Sequence, residues 1–200
     1  NVRKCITKSQ QIRKPVFTED DFTKLYDDDK PVCCLDVKDH DSPSVRTYIK
    51  TGELSGMHKR YLTKIKNPWY KIERRHPAPI LFGVFNRGRL KVVRNYSDAI
   101  NFTCFHSFYP NLFGAENINK LFVYFLSDRG QTIIKMNKRS YGNQLDKLEP
   151  GDLNECRCPN QREMKTITEQ EAVNVIETAK TDEELAIHKS NELVDRIISL

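Results

Sequence analysis

The feature that most constrains the fold is a change of hydrophobic period partway along the chain. Ile100, Phe102, Cys104, His106 and Phe108 alternate with Asn101, Thr103, Phe105, Ser107 and Tyr109, a period of two that gives one strand face to a core. Beyond it, Ile118, Leu121, Phe122 and Phe125 stand at i, i+3, i+4 and i+7, the stripe of an amphipathic helix. Strand periods followed by helical periods, without regular alternation of the two, place the chain in the α+β class.

Upstream of the change, residues 69–109 read mostly as strand. Ile80–Phe85 is a continuous buried-type run, and Asn86-Arg87-Gly88 is a turn leading into Leu90–Val93 as a hairpin. Val2–Ile6 and Val32–Val37 are shorter strand candidates. Thr18 is an N-cap followed by acids in the first turn, so a helix runs to Tyr26; another begins after Pro43 and closes near Gly52. Downstream, Ile133, Ile134 and Met136 extend a helix past Gly130, and residues 139–160 read mostly as loop. From Thr166 the chain is helical with a break at Thr181-Asp182. The stripes Val173/Ile176 and Leu193/Ile197/Leu200 form a closing α-hairpin.

The 200 residues suit one domain with a helical appendage, and 38% hydrophobic residues are enough to bury a core. No apolar run is long enough to cross a bilayer. Asn1 opens the chain with no apolar leader, which reads as the start of a fragment. The six cysteines lack the spacing of a disulfide scaffold, so reduced thiols in a cytosolic protein are expected.

The net charge of +6 is distributed unevenly. Residues 59–94 carry 11 basic residues against Glu73 alone, net +10, whereas residues 152–200 carry 6 basic against 11 acidic, net −5. The basic stretch is interleaved with Tyr61, Trp69, Tyr70, Phe82 and Phe85. That mixture suits a groove that neutralises phosphates and packs bases or sugars; a plain solvated face is the other reading. Trp69 is expected to pack as a wall residue rather than to stack on bases.

Catalytic signatures are missing. No two of the eight glycines form G-x-G, so there is no Rossmann fingerprint, and no Walker loop is present either. Cys156-Arg-Cys158 has no second pair at zinc-site spacing, and the five histidines are scattered. No metal site and no catalytic residue is assigned. His106 reads as a hydrogen-bonded core histidine, and Cys104 as packing.

One ordered set of motifs remains: Tyr48-Ile-Lys-Thr-Gly52, Asn67-Pro-Trp69-Tyr70, Pro79-Ile-Leu, Asn95, Phe105-His106-Ser-Phe-Tyr109-Pro110, Leu121 to Ser127, Arg139-Ser-Tyr141-Gly142 and Lys147-Leu-Glu-Pro150. Over residues 44–160 this resembles the C-terminal target-recognition domain of N6-adenine DNA methyltransferases from bacterial restriction–modification systems. The resemblance implies a curved, mostly antiparallel sheet with flanking helices and a C-terminal α-hairpin. It implies residues 1–42 as a lead-in from a catalytic domain absent from this chain, 43–165 as the recognition domain, and 166–200 as the helical hairpin. S-adenosylmethionine would bind in that N-terminal catalytic domain, the second partner would be double-stranded DNA, and the location would be cytoplasmic, on the nucleoid. Asn67-Pro-Trp-Tyr70 has only one proline and matches the recognition domain's own tryptophan motif, so Asn67 is not a catalytic amide.

Under that reading Lys59, Arg60, Lys64, Lys66, Lys71, Arg74 and Arg75 contact phosphate, which sets affinity and register. Arg87 and Arg89, presented outward by the Asn86–Gly88 turn, enter a groove and fork onto guanine. Arg139, Tyr141, Asn143, Gln144 and Lys147 complete the expected DNA-binding set. The family usually has a glycine-rich turn after the Tyr-Gly pair; here Asn143 and Gln144 stand there and can bond adenine, or form an ordinary polar turn. Phe105 and Tyr109 fall opposite the core register, either facing DNA or covered by helices. The rival function is a protein-interaction or specificity subunit whose acidic hairpin 166–200 docks a partner.

Overall fold

A computed structural model describes residues 1–38 and 42–198. In chain order the strands are β1 (Val2–Ile6), β2 (Val16–Phe17), β3 (Cys33–Leu35), β4 (Ile80–Gly83), β5 (Phe85–Arg87), β6 (Val92–Asn95), β7 (Ile100–Asn101), β8 (Phe105–Phe108), β9 (Arg139–Tyr141) and β10 (Leu145–Lys147). The helices are α1 (Glu19–Asp27), α2 (Pro43–Leu54), α3 (Tyr61–Lys64), α4 (Leu112–Glu116), α5 (Ile118–Leu126), α6 (Asp128–Lys135), α7 (Pro150–Asn154), α8 (Gln161–Met164), α9 (Glu169–Ala179) and α10 (Glu183–Ile198). This is the expected α+β class. Its strands form three open sheets, ordered β3-β1-β7, β2-β6-β4-β8 and β5-β10-β9, with parallel pairing only at β1·β7 and β2·β6 among the described residues.

The four-stranded sheet is buried on both faces. Ile80, Phe82, Val92 and Val16 face a core shared with α5, α6, α9 and α10, while Leu81, Val93 and Phe17 face a second core with Ile6, Ile12, Phe22 and Val32. Period two is obeyed, but each register feeds its own core. Of the two alternatives for Phe105 the structure takes the covered one, burying it in the second core with Phe22 of α1; Tyr109 is exposed and donates from its hydroxyl to the His76 carbonyl at 2.7 Å. The stretch 100–109 is also two strands, broken at Thr103-Cys104. Asn101 bridges the break by donating to the Phe105 carbonyl (2.7 Å) and accepting from the Ser107 hydroxyl (2.8 Å).

Helix α1 starts where its N-cap predicts: Thr18 Oγ1 accepts from the Asp21 amide at 3.2 Å, and Asp21 accepts from the Thr18 amide at 3.0 Å. Helix α5 buries every residue from Leu121 to Leu126. Phe125 meets Phe82 and Phe108 edge-on, with ring centroids 5.1 and 5.7 Å apart. Such pairs add about 0.5–1.5 kcal/mol each beyond area burial.

The closing hairpin breaks between α9 and α10 as expected, but its stripe begins one residue earlier, at Ala172, Val175, Ile176 and Ala179, with Val173 half-buried. Facing it in the main core are Ala186, Leu193, Val194 and Ile197 of α10; Leu200 lies outside the described residues. The hairpin's apolar face is therefore spent inside the domain. No helix among the described residues is long and apolar enough to cross a membrane.

Glu171 ties this hairpin together. Its carboxylate accepts from the Thr168 amide at 2.8 Å, capping α9, and from Arg196 of α10 at 2.6 Å. The Thr168 amide first, and then Arg196, hold its pKa at about 2, below the usual 4.5. A depressed carboxyl contributes stability above its unfolded pKa and loses it as pH falls through the folded value. Glu171→Gln is expected to cost about 1 kcal/mol at pH 7, and the gap should narrow between pH 4.5 and 2. Urea midpoints at pH 7 and pH 3 check this, and equal gaps at both would refute it.

Candidate nucleic-acid interface

Four of the expected contact residues, Arg87, Arg139, Tyr141 and Lys147, are brought together by the third sheet. Strand β10 lies between β5 and β9, pairing Lys147 with Phe85 and Arg139, and Leu145 with Arg87 and Tyr141. Alternation then puts Asn86, Asp146 and Ser140 on one face and Phe85, Arg87, Arg139, Tyr141, Leu145 and Lys147 on the other. The outer face is open: Phe85 is 54% exposed, Tyr141 51%, and the Arg139 side chain 60%. Lys147 Nζ sits 5.6 Å from the Phe85 ring centre and 2.6 Å from Glu149, which also lies 3.9 Å from Arg139. The Lys147 ammonium holds the Glu149 carboxyl below the usual range, and Glu149 raises the lysine in return.

The inner face explains why so small a sheet holds its shape. Asp146 accepts from Lys138 Nζ at 2.5 Å and from the Ser140 hydroxyl at 2.9 Å, and the lysine keeps its carboxyl ionised below the usual range. Asn86 is buried; it donates to the Gly83 carbonyl at 2.7 Å and accepts from the Lys91 amide at 2.9 Å. The excursion of residues 83–91 is thus clamped at its neck while β5 pairs with β10. Beyond β9 the turn Gly142-Asn143-Gln144 is wholly exposed, with φ of 60° at Asn143 and 56° at Gln144.

Two sequence expectations are corrected here. Asn86 and Arg87 belong to a strand rather than to the turn, and the hairpin return from β4 to β6 is interrupted by that strand. Arg89 points inward. Gly88, at φ 76°, reverses the chain, and Arg89 then reaches the junction of α5 and α6, ion-paired with Asp128 and donating to the Leu126 carbonyl. Arg89 thus ties the Gly88 turn to the junction of α5 and α6 instead of being presented outward. Arg87, by contrast, is exposed.

The remaining seven cations lie in the segment from α2 to β4, where Val45 and Ala78 alone are buried. Lys59 closes a helical turn, Arg60 precedes α3, and Lys64 ends it with Nζ 5.6 Å from the Tyr61 ring centre. Lys66, Lys71 and Arg74 line one open cleft with Asn67, Ile72 and Glu73. Arg74 and Arg75 line another with Arg3, Lys38 and His76. Arg75 also pairs with Glu73, and its carbonyl accepts from Arg3. Trp69 packs as expected: a Cβ on Gly52 would meet its ring at 2.6 Å, and its Nε1 donates to Glu53 at 3.3 Å.

Other basic and reactive groups serve the fold. Lys91 donates to the carbonyls of Ser9 (2.9 Å) and Ile12 (2.7 Å), and Arg94 to Asn119 (3.0 Å) and the Pro79 carbonyl (2.9 Å); burial lowers the pKa of both. His106 Nε2 lies 2.8 Å from the Leu148 carbonyl. Burial pushes the Cys104 thiol up to about 11, which keeps it protonated. Phe85 ends the buried-type run and is also one of the aromatics among the cations, and its exposure fits the second reading. Its signal is local: Phe85 and Arg87 flank Asn86 at period two.

The family model for the C-terminal domain of the type II methyltransferase M.Eco57I matches residues 1–199, well beyond the 44–160 that carried the motif resemblance. The type II methyltransferase M.AccI of Acinetobacter calcoaceticus is 38% identical over 152 residues, which is 75% of this chain and 28% of that protein.

Proposed function

The chain belongs to the family of C-terminal domains of restriction–modification methyltransferases represented by M.Eco57I, and on that premise we propose that it is the part that recognises the target. In this reading it binds double-stranded DNA and positions it for N6-adenine methylation by a catalytic domain elsewhere in the parent protein. S-adenosylmethionine supplies the methyl group in that domain, and no residue of this chain is assigned to it.

The observation that carries the reading is the outer face of the third sheet. Segments distant in sequence place Arg87, Arg139 and Lys147 beside exposed Phe85 and Tyr141. Guanidinium and ammonium groups neutralise phosphates, while the rings give apolar surface for sugars and bases. Lys59, Arg60, Lys64, Lys66, Lys71, Arg74 and Arg75 extend the cationic surface along a segment with little core of its own. They grip the backbone without reading it. The protein-docking alternative keeps only the acidic outer face of hairpin α9–α10, whose apolar stripe goes to the main core.

Fluorescence anisotropy with a mixed-sequence duplex across a salt series tests this. Log affinity is expected to fall linearly with log salt, with a slope of about −0.9 per phosphate neutralised. The double change Arg139→Ala and Lys147→Ala should flatten that slope by about 2, roughly one unit per lost cation. Absent binding at low salt, or a slope the variant leaves unchanged, would sink the assignment of this face.

A further inference from the structure

We propose that the tip of the β9–β10 hairpin, together with Arg87, is the element that reads base sequence, with Asn143 and Gln144 taking adenine and Arg87 a neighbouring guanine. The inference rests on the duplex-binding reading above and names its specificity determinants. Three observations carry it.

The first is placement. Leu145, the first residue after the tip, pairs with both Arg87 and Tyr141, so Arg87 stands one strand away from the turn at the same end of the sheet. Neighbouring strands are about 4.8 Å apart, and successive base pairs about 3.4 Å. Groups side by side here can address adjacent base pairs. The major groove admits a two-stranded ribbon of this width.

The second is where the chain accepts strain. Asn143 and Gln144 both adopt left-handed backbone, while the adjacent Gly142, which would adopt it freely, does not. A hairpin turn calls for this backbone and Asn tolerates it, but Gln is an unusual choice where glycine would serve. What these side chains add to the turn is an amide each, which forks onto adenine N6 and N7 as Arg does onto guanine O6 and N7.

The third is rigidity beneath an exposed tip. Residues 139–144 are all exposed, yet Asp146, Lys138 and Ser140 lock the hairpin from its inner side. Reading needs side chains held in register, and this hairpin supplies a fixed base for them.

Selection from a randomised duplex library, with sequencing of the bound fraction, tests the proposal on this chain. The wild-type protein should enrich a site with an A·T pair beside a G·C pair. The double change Asn143→Gly and Gln144→Gly should erase the A·T preference, lowering the ratio of specific to mixed-sequence affinity about 10- to 100-fold. Its urea midpoint should not fall, since glycine relieves the left-handed backbone. Arg87→Lys keeps the charge but removes the fork, so the G·C preference should go while the salt slope stays. Variants that enrich the wild-type site would overturn the proposal. So would a wild-type chain that binds duplex with a steep salt slope yet enriches nothing, which leaves the duplex reading standing. A wild-type chain that binds no duplex removes both.

Discussion

Replacing Gly130 with alanine is expected to lower the melting temperature of this domain by about 6–12 °C. A Cβ at residue 130 would lie 1.9 Å from the Tyr124 carbonyl oxygen, 2.8 Å from its carbon and 3.1 Å from Phe125 Cα. All three are backbone atoms of α5, so no flexible side chain can move aside. Helix α6 folds back on the end of α5 through Ser127, whose hydroxyl donates to Tyr124 (2.7 Å) and accepts from the Gly130 amide (3.1 Å). Admitting a methyl group means lifting α6 off α5, which breaks that cap and withdraws Ile134 from the main core. Overpacking of well-filled sites costs about 1–3 kcal/mol, and a backbone clash sits at or above the top of that range. For a domain of this size each kcal/mol moves the melting temperature by about 2–4 °C. Gly142→Ala is the control. Nothing lies within 4 Å of its Cβ position and its backbone is not left-handed, so it should stay within about 0.5 kcal/mol of wild type. A Gly130→Ala protein melting within about 2 °C of wild type would refute the argument.

What could be read from the sequence divides along the range of the interactions involved. The α1 cap was legible because Thr18 and Asp21 satisfy each other within one turn, and the α5 stripe because a helix repeats its environment every few residues. The break between α9 and α10 was legible for the same reason. Phe105 stayed open between exposure and cover because period two identifies a face but not how many cores the sheet has. Only the packing of α1 and the β1 segment on the far side makes the second register an interior. The strand Phe85–Arg87 was hidden because its partner, Leu145–Lys147, lies in a stretch that looked like loop. Three-residue strands leave too short a period to see.

The candidate site shows the same division. The charge excess of residues 59–94 was visible by counting, and the motif order led to the family that the match over residues 1–199 bears out. Counting could not separate cations that face solvent from cations that brace the fold. Arg89, Lys91 and Arg94 belong to the second group because acceptors distant in sequence, at Leu126 and Asp128, at Ser9 and Ile12, and at Asn119, receive them. Arg87 escapes this fate because its strand turns it to the outer face. Gly88, left-handed, is what parts the two arginines.

Gln131→Glu should be the most damaging conservative change in the chain, and its cost should depend on pH. Gln131 is buried, with Oε1 accepting from the Leu90 amide at 2.8 Å and Nε2 donating to the carbonyls of Leu90 (3.2 Å) and Phe125 (3.0 Å). It therefore closes the return from the Gly88 turn onto α6. An ionised carboxylate there would face two carbonyl oxygens with no donor to offer them, a loss of roughly 3–5 kcal/mol near neutral pH. Protonated, the same group can accept from Leu90 and donate to one carbonyl, which recovers part of that loss. Burial raises its folded pKa above an unfolded value of about 4.3. The stability of the variant relative to wild type is therefore best below that pH, and falls by about 1.4 kcal/mol per unit as pH rises toward the folded pKa. Gln131→Ala abandons the same three backbone groups without a charge, so its deficit of roughly 2–4 kcal/mol should be flat with pH. Urea unfolding of the three proteins at pH 4, 5.5 and 7 separates these outcomes. Equal pH profiles for the glutamate and alanine variants would show that residue 131 is hydrated, and would overturn the argument.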